Sequence, residues 1–142
     1  MSDLTRDVTT TTDGAVRAYE ELTKGRLDYT AASLAVVDEV LDQLAQYVPQ
    51  MTPDQVGVVV SDFGCYVLEV ARRANGGALR WFDQRKQPVL AVGEPSFRIA
   101  LATWDTVEAR LRGDEGASIP FLYDGFVRRS KTACPGEDAL YA

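Results

Sequence analysis

The stretch MTPDQVGVVVSDFGCYVLEVARRANGG carries a helix start, a helix stop and an almost continuous apolar run between them. Thr52 is an N-cap residue, Pro53 suits the first helical position, and Asp54 is well placed at the positive end of the helix dipole. Asn75-Gly76-Gly77 ends the helix, because glycine enters the left-handed conformation without steric strain. The many valines would suit a strand, but a strand of this length exceeds the usual range and both ends carry helix signals. At about 100° per residue, Val56, Val59, Val60, Phe63, Val67, Val70 and Ala74 share one broad face. Val58, Tyr66 and Leu68 add apolar surface outside it. A helix that is apolar on more than one side is covered on more than one side, so the chain is expected to build around this one.

The flanking segments are read in the same way. Residues 1–13 are polar, rich in Thr and Asp and without periodicity, and are expected to form a disordered arm. Val16, Tyr19 and Leu22 then recur at helical spacing up to Gly25. Leu34, Val37, Leu41, Leu44 and Val48 mark a second, strongly amphipathic helix that Pro49 closes. After the glycines, LRWFD, PVLAV and FRIAL read as strands, followed by a short helix that stops at Gly113 and a last helix starting near Ser118. Alternation puts Trp81 on the same strand face as Leu79, directed at the central helix. Residues 133–142 read as a loose tail. The expectation is a single α+β domain over residues 14–132, with about five helices and a small antiparallel sheet of about three strands packed on the central helix.

Composition removes whole classes of function. The 142 residues carry 15 Lys and Arg against 21 Asp and Glu, a net charge of −6. Binding to a phosphate backbone draws on many cations, so no nucleic-acid partner is expected, and a basic protein is the natural complement. No apolar run is long enough for a membrane span, and MSDLTRDVTTTTDG lacks a basic start followed by an apolar segment. The expected setting is cytoplasmic, with no membrane partner. The sequence has no histidine, which excludes Ser-His-Asp and Cys-His chemistry. Two cysteines are too few for a zinc site, and there is neither a GxxxxGK[ST] loop nor a GxGxxG fingerprint. No cofactor or metal is expected, and Cys65 and Cys134 are not expected to pair.

Two groups of residues remain as candidate sites. On the helix before Pro49, Asp38, Glu39 and Asp42 form an acidic face with no basic residue one turn ahead, and are assigned as a partner-binding surface. On the central helix, Glu69 is a carboxylate among apolar residues, with Arg72 and Arg73 in the favourable order three and four residues later. Tyr66, Glu69, Arg73 and Trp81 are assigned to a pocket between this helix and the sheet. Asp62, two turns before Glu69 and about 10 Å away along the axis, would supply the second carboxylate of an acid-base pair. The ion pair is the stronger reading of Glu69, and no residue is assigned a catalytic role.

The segments LDYTAASLAVVDEVLD, residues 27–42, and GCYVLEVARRANGGALRW, residues 64–81, resemble a loose group of small uncharacterised bacterial α+β proteins. In that group an acidic-faced helix precedes a G-x-Y-x-x-E helix, a Gly turn and a Trp-bearing strand. Gly64, Tyr66 and Glu69 are in register with the pattern; Leu68 stands where glycine is expected, and TWDTVEARLRG lacks an expected proline. The resemblance implies an immunity-like or accessory role and carries no active site. The first expectation is thus a noncatalytic interaction protein, immunity- or antitoxin-like, that uses an acidic and aromatic surface. A small-molecule-binding regulatory domain is the alternative, and a carboxylate-based enzyme stands third. The sequence does not specify the oligomeric state.

Overall fold

Residues 2–142 are described by a computed structural model, and Met1 lies outside the described residues. The elements run α1 (Asp3–Ala18), α2 (Glu20–Thr23), α3 (Leu34–Ala45), α4 (Pro53–Asn75), β1 (Ala78–Phe82), β2 (Gln87–Val92), β3 (Arg98–Leu101), α5 (Trp104–Leu111), α6 (Ile119–Thr132) and β4 (Asp138–Tyr141). The class is α+β as expected, with six α-helices among the described residues and a four-stranded mixed sheet in the order β1-β2-β3-β4. The first three strands form an antiparallel meander, while β4 joins β3 in parallel.

The central helix, α4, starts in a capping box. The Thr52 hydroxyl accepts from the Gln55 N–H at 3.2 Å, and the Gln55 side chain accepts from the Thr52 N–H at 2.8 Å. At its other end Gly76 takes φ 73° and its N–H donates to the Arg72 carbonyl at 2.8 Å. Every residue from Phe63 to Ala71 is buried, because α1, α5, α6 and β2 all pack around this stretch. Each large apolar side chain there contributes roughly 1.5–3 kcal/mol. Gly64 is where α5 comes closest. The Trp104 indole lies directly over it, filling the space a Cβ would take, and the Thr103 hydroxyl donates to the Gly64 carbonyl at 2.8 Å.

The expected disordered arm is corrected: residues 3–13 belong to α1. Ser2 caps the helix by accepting from the Thr5 N–H at 3.1 Å. Val8, Thr12 and Ala15 form a buried stripe of helical spacing, and Thr12 satisfies its hydroxyl by donating to the Val8 carbonyl at 2.8 Å. Threonines are modest helix formers, but packing of this stripe on α4 decides the conformation. The helix expected up to Gly25 breaks at Tyr19, and α3 ends three residues before Val48, giving way to a 3₁₀ turn at Val48–Gln50.

The loose tail is corrected as well. Asp138–Tyr141 completes the sheet as β4, with Asp138 opposite Arg98 and Tyr141 opposite Leu101. Arg98 grips Asp138 with two hydrogen bonds, at 3.0 and 2.6 Å, and the Tyr141 ring packs against Gly125 of α6. The inner face of the sheet brings Leu79, Leu90, Val92, Ile99 and Leu101 into the common core. Leu79, Leu90 and Leu101 stand in one row across three strands.

Candidate functional site

Glu69 is 1% exposed and holds two guanidinium groups. Arg72 reaches it through Nη2 to Oε1 at 2.6 Å and Nε to Oε2 at 3.1 Å, and Arg73 donates from Nε to Oε1 at 3.0 Å. The arginines keep one side in water, with side chains 32% and 47% exposed. This sharing places a buried carboxylate in a fully paired setting, the condition under which such a group is tolerated.

Arg73 extends the cluster outward. Its guanidinium lies 3.8 Å from the centroid of the Tyr29 ring, a cation–π contact. Tyr29 has φ 67°, an uncommon conformation for a bulky residue, and is held from several sides. Its N–H donates to the Tyr66 hydroxyl at 3.0 Å, its own hydroxyl donates to Asp13 of α1, and its ring lies 5.5 Å from that of Tyr66. The Tyr66 hydroxyl also shares a 2.6 Å hydrogen bond with Ser33. Burial, then the Asp13 carboxylate, push the Tyr29 phenol above its usual range, and burial likewise raises Tyr66. The cluster pins α1 and the α2–α3 connection to α4.

The structure therefore brings three of the four expected pocket residues together and separates the fourth. Tyr66 is fully buried and Glu69 nearly so. The surface grooves described below have none of Tyr66, Glu69 or Arg73 in their walls. Trp81 does not pack on α4 as expected but is 53% exposed. Alternation places it on Leu79's face, yet it sits two residues farther along an edge strand, opposite Pro88. α1 packs on β1, α4 on β2 and α6 on β3, but the Trp81 end of β1 is left uncovered. Asp62, the second carboxylate of the acid-base reading, makes no contact with Glu69 among the hydrogen bonds of the described residues. Asp62 lines a groove on α4. Cys65 is buried against Ser61 and Trp104, and burial pushes its thiol up to about 11, away from nucleophilic use.

The acidic trio on α3 is engaged within the fold. Asp38 caps α6: its Oδ1 accepts from the Ile119 N–H at 3.0 Å and its Oδ2 from the Ser118 hydroxyl at 3.3 Å. Glu39 pairs with Arg26 at 3.0 Å, and Asp42 stands 3.9 Å from Arg110. Cations from other elements thus stand beside Glu39 and Asp42, which stay 52% and 62% exposed, while Asp38 meets the start of α6.

Uncompensated carboxylates collect elsewhere. Asp54 and Asp62 of α4 have no ion pair among the described residues, and both line a groove of about 490 Å³ with Pro53, Gly57, Val58, Ser61 and Thr11 of α1. Val58 is 59% exposed within it. Burial raises the Asp62 carboxyl above the ordinary range, as expected for a half-buried acid with no cation beside it. Asp7, one turn before Thr11 on α1, is also exposed and unpaired among the described residues. Sequence reasoning missed this site, although Asp54, Val58 and Asp62 at i, i+4 and i+8 do form a stripe. The run of valines drew Val58 into the expected core.

Two further surface features stand out. On the sheet face away from the helices, Val89 and Ala91 are almost fully buried yet outside the common core. They line a small trough of about 130 Å³ together with Phe82, Ala100 and Leu140, rimmed by Arg80, Arg98, Asp138 and Trp81, the expected pocket residue that the structure sets apart from Tyr66, Glu69 and Arg73. Phe121 of α6, 68% exposed, flanks a groove of about 370 Å³ near Tyr141. Among the described residues no helix is long and apolar enough to cross a membrane. No protein-family model, curated protein or solved structure matches the chain.

Proposed function

We propose that this chain is a noncatalytic interaction protein of the bacterial cytoplasm, immunity- or antitoxin-like, whose partner is a basic protein. One observation carries the reading. The buried carboxylate that would otherwise invite an acid-base role is paired with two arginines, while two carboxylates without an ion pair, Asp54 and Asp62, stand on an exposed, partly apolar surface. Charge of one sign around apolar side chains speeds encounter with an oppositely charged partner and favours it over others. The test is capture from native lysate, followed by titration of the purified partner at rising salt. The expected result is a stoichiometric complex with a basic protein that weakens as salt rises. A copurifying metabolite, or binding indifferent to salt, would count against this reading.

The outer sheet trough supports the second reading, a small-molecule-binding domain. Val89 and Ala91 are shielded there by flanking side chains rather than by another element. A ligand stabilising the fold should lose that effect in Ala91→Phe, which fills the trough, and keep it in Asp54→Asn.

A further inference from the structure

The groove between α1 and α4 has a geometry that specifies its occupant. Asp54, Val58 and Asp62 follow one another at successive turns of α4, so the two carboxylates stand about 12 Å apart along the helix axis with the apolar side chain midway. Gly57, in the same wall, has no atom within 4 Å of the place a Cβ would occupy, so another backbone can come close. Thr11 and Ser61 add hydroxyls to the groove, and no Lys or Arg lines it. The matching surface is a helix with basic residues seven or eight positions apart and an apolar residue between them, laid along α4.

We propose that the α1–α4 groove docks a helical segment of a partner protein carrying this basic–apolar–basic pattern. The inference rests on the reading of the chain as a binder of a basic protein and narrows it to one surface and one spacing. A second copy of this chain does not fit the pattern. Its basic residues without a carboxylate partner among the described residues are Arg17, Lys24, Arg128 and Lys131. No two of these lie seven or eight positions apart on one helix. Docking would bring a cation to Asp62, a carboxylate that burial leaves costly to ionise alone.

The probe is a synthetic alanine-based helix with lysines eight positions apart and a leucine midway. A control peptide has the same composition with its lysines adjacent. Binding is followed by fluorescence anisotropy and by amide shifts of the full-length chain. The expected result is binding that weakens with salt, shifts centred on Thr11, Asp54, Val58 and Asp62, and preference for the spaced peptide. Affinity should fall roughly tenfold in D54N/D62N. Glu108→Gln, which alters a carboxylate paired with Arg112 on α5, should leave it unchanged. Thermal melts of each variant confirm the fold, and Val58→Ser repeats the test without touching a charge.

Shifts mapping to another acidic surface, or affinity retained in D54N/D62N, would overturn the groove while leaving a basic partner in place. Failure of both peptides to bind up to about 1 mM, a bound of only about 4 kcal/mol, would remove the basic-partner reading as well. A dimer of the free chain that dissociates in D54N/D62N would make a second copy the occupant and overturn the proposal.

Discussion

Replacing Glu69 with Gln tests whether the buried carboxylate is a structural node. Gln is nearly isosteric, so no cavity opens and the effect reports electrostatics and hydrogen bonding. Its single carbonyl oxygen can keep the positions now accepting from Arg72 Nη2 and Arg73 Nε, both at Oε1. The amide nitrogen then faces Arg72 Nε, donor against donor, and the bond to Oε2 is lost. A bond between two charged groups contributes about 2 kcal/mol, and removing the charge of one partner weakens it by about 1 kcal/mol. One bond lost and two weakened therefore sum to about 4 kcal/mol. The arginines are 32% and 47% exposed and can turn to water, so about half of that survives. The expected loss is about 2 kcal/mol, equivalent to a melting temperature lower by roughly 6–10 °C in a domain of this size. Urea unfolding followed by far-UV circular dichroism measures it, and a double-mutant cycle with Arg72→Gln should show coupling above about 1 kcal/mol. A loss below about 0.5 kcal/mol, with no coupling, would refute the structural assignment and reopen an acid-base role for Glu69.

Other substitutions probe the remaining joints. Gly64→Ala puts a methyl group where the Trp104 indole sits, and should cost about 2 kcal/mol through forced repacking, with a change in near-UV circular dichroism as Trp104 moves. Asp38→Ala removes the acceptor of the Ile119 N–H and the Ser118 hydroxyl, leaving the Ser118 N-cap in place, and should cost about 1 kcal/mol, read by urea titration. Asp62 is raised in the folded state by burial, so the fold binds its proton more tightly than the unfolded chain does. Its effect on stability is therefore unfavourable once pH rises through the folded pKa and absent below the unfolded one. Asp62→Asn should accordingly raise the melting temperature at neutral pH and leave it unchanged in acid, below the ordinary aspartate range.

The sequence made α4 legible because its signals are local. Caps at Thr52 and Gly76 and a run of apolar residues between them lie within one segment, and so do Glu69, Arg72 and Arg73. The ends of the chain were opaque for opposite reasons. In α1 the buried stripe is built from Val8, Thr12 and Ala15, too small and polar to register as apolar periodicity. In β4 the segment Asp138–Tyr141 is short, and its pairing partner lies about forty residues away. The partners that the acidic face of α3 finds within the fold were hidden for a related reason. Helical spacing reports only neighbours on the same helix, whereas Arg26, Arg110 and the start of α6 arrive from elsewhere. For Trp81, alternation identified the face but not how far the covering helices extend.

The mixed sheet also orders events in time. On one side β3 meets β2 across the turn at residues 93–97, and on the other it meets β4 across residues 102–137. The longer closure is entropically harder by about 1.7 kcal/mol on loop length alone, and α5 and α6 lie within it. The meander can therefore form first, with the parallel seam between β3 and β4 closing late and opening early. Until then the outer edge of β3 is bare, and an edge in that state accepts the matching strand of a neighbouring molecule as readily as its own. At high concentration, refolding should trap strand-exchanged dimers joined at this seam.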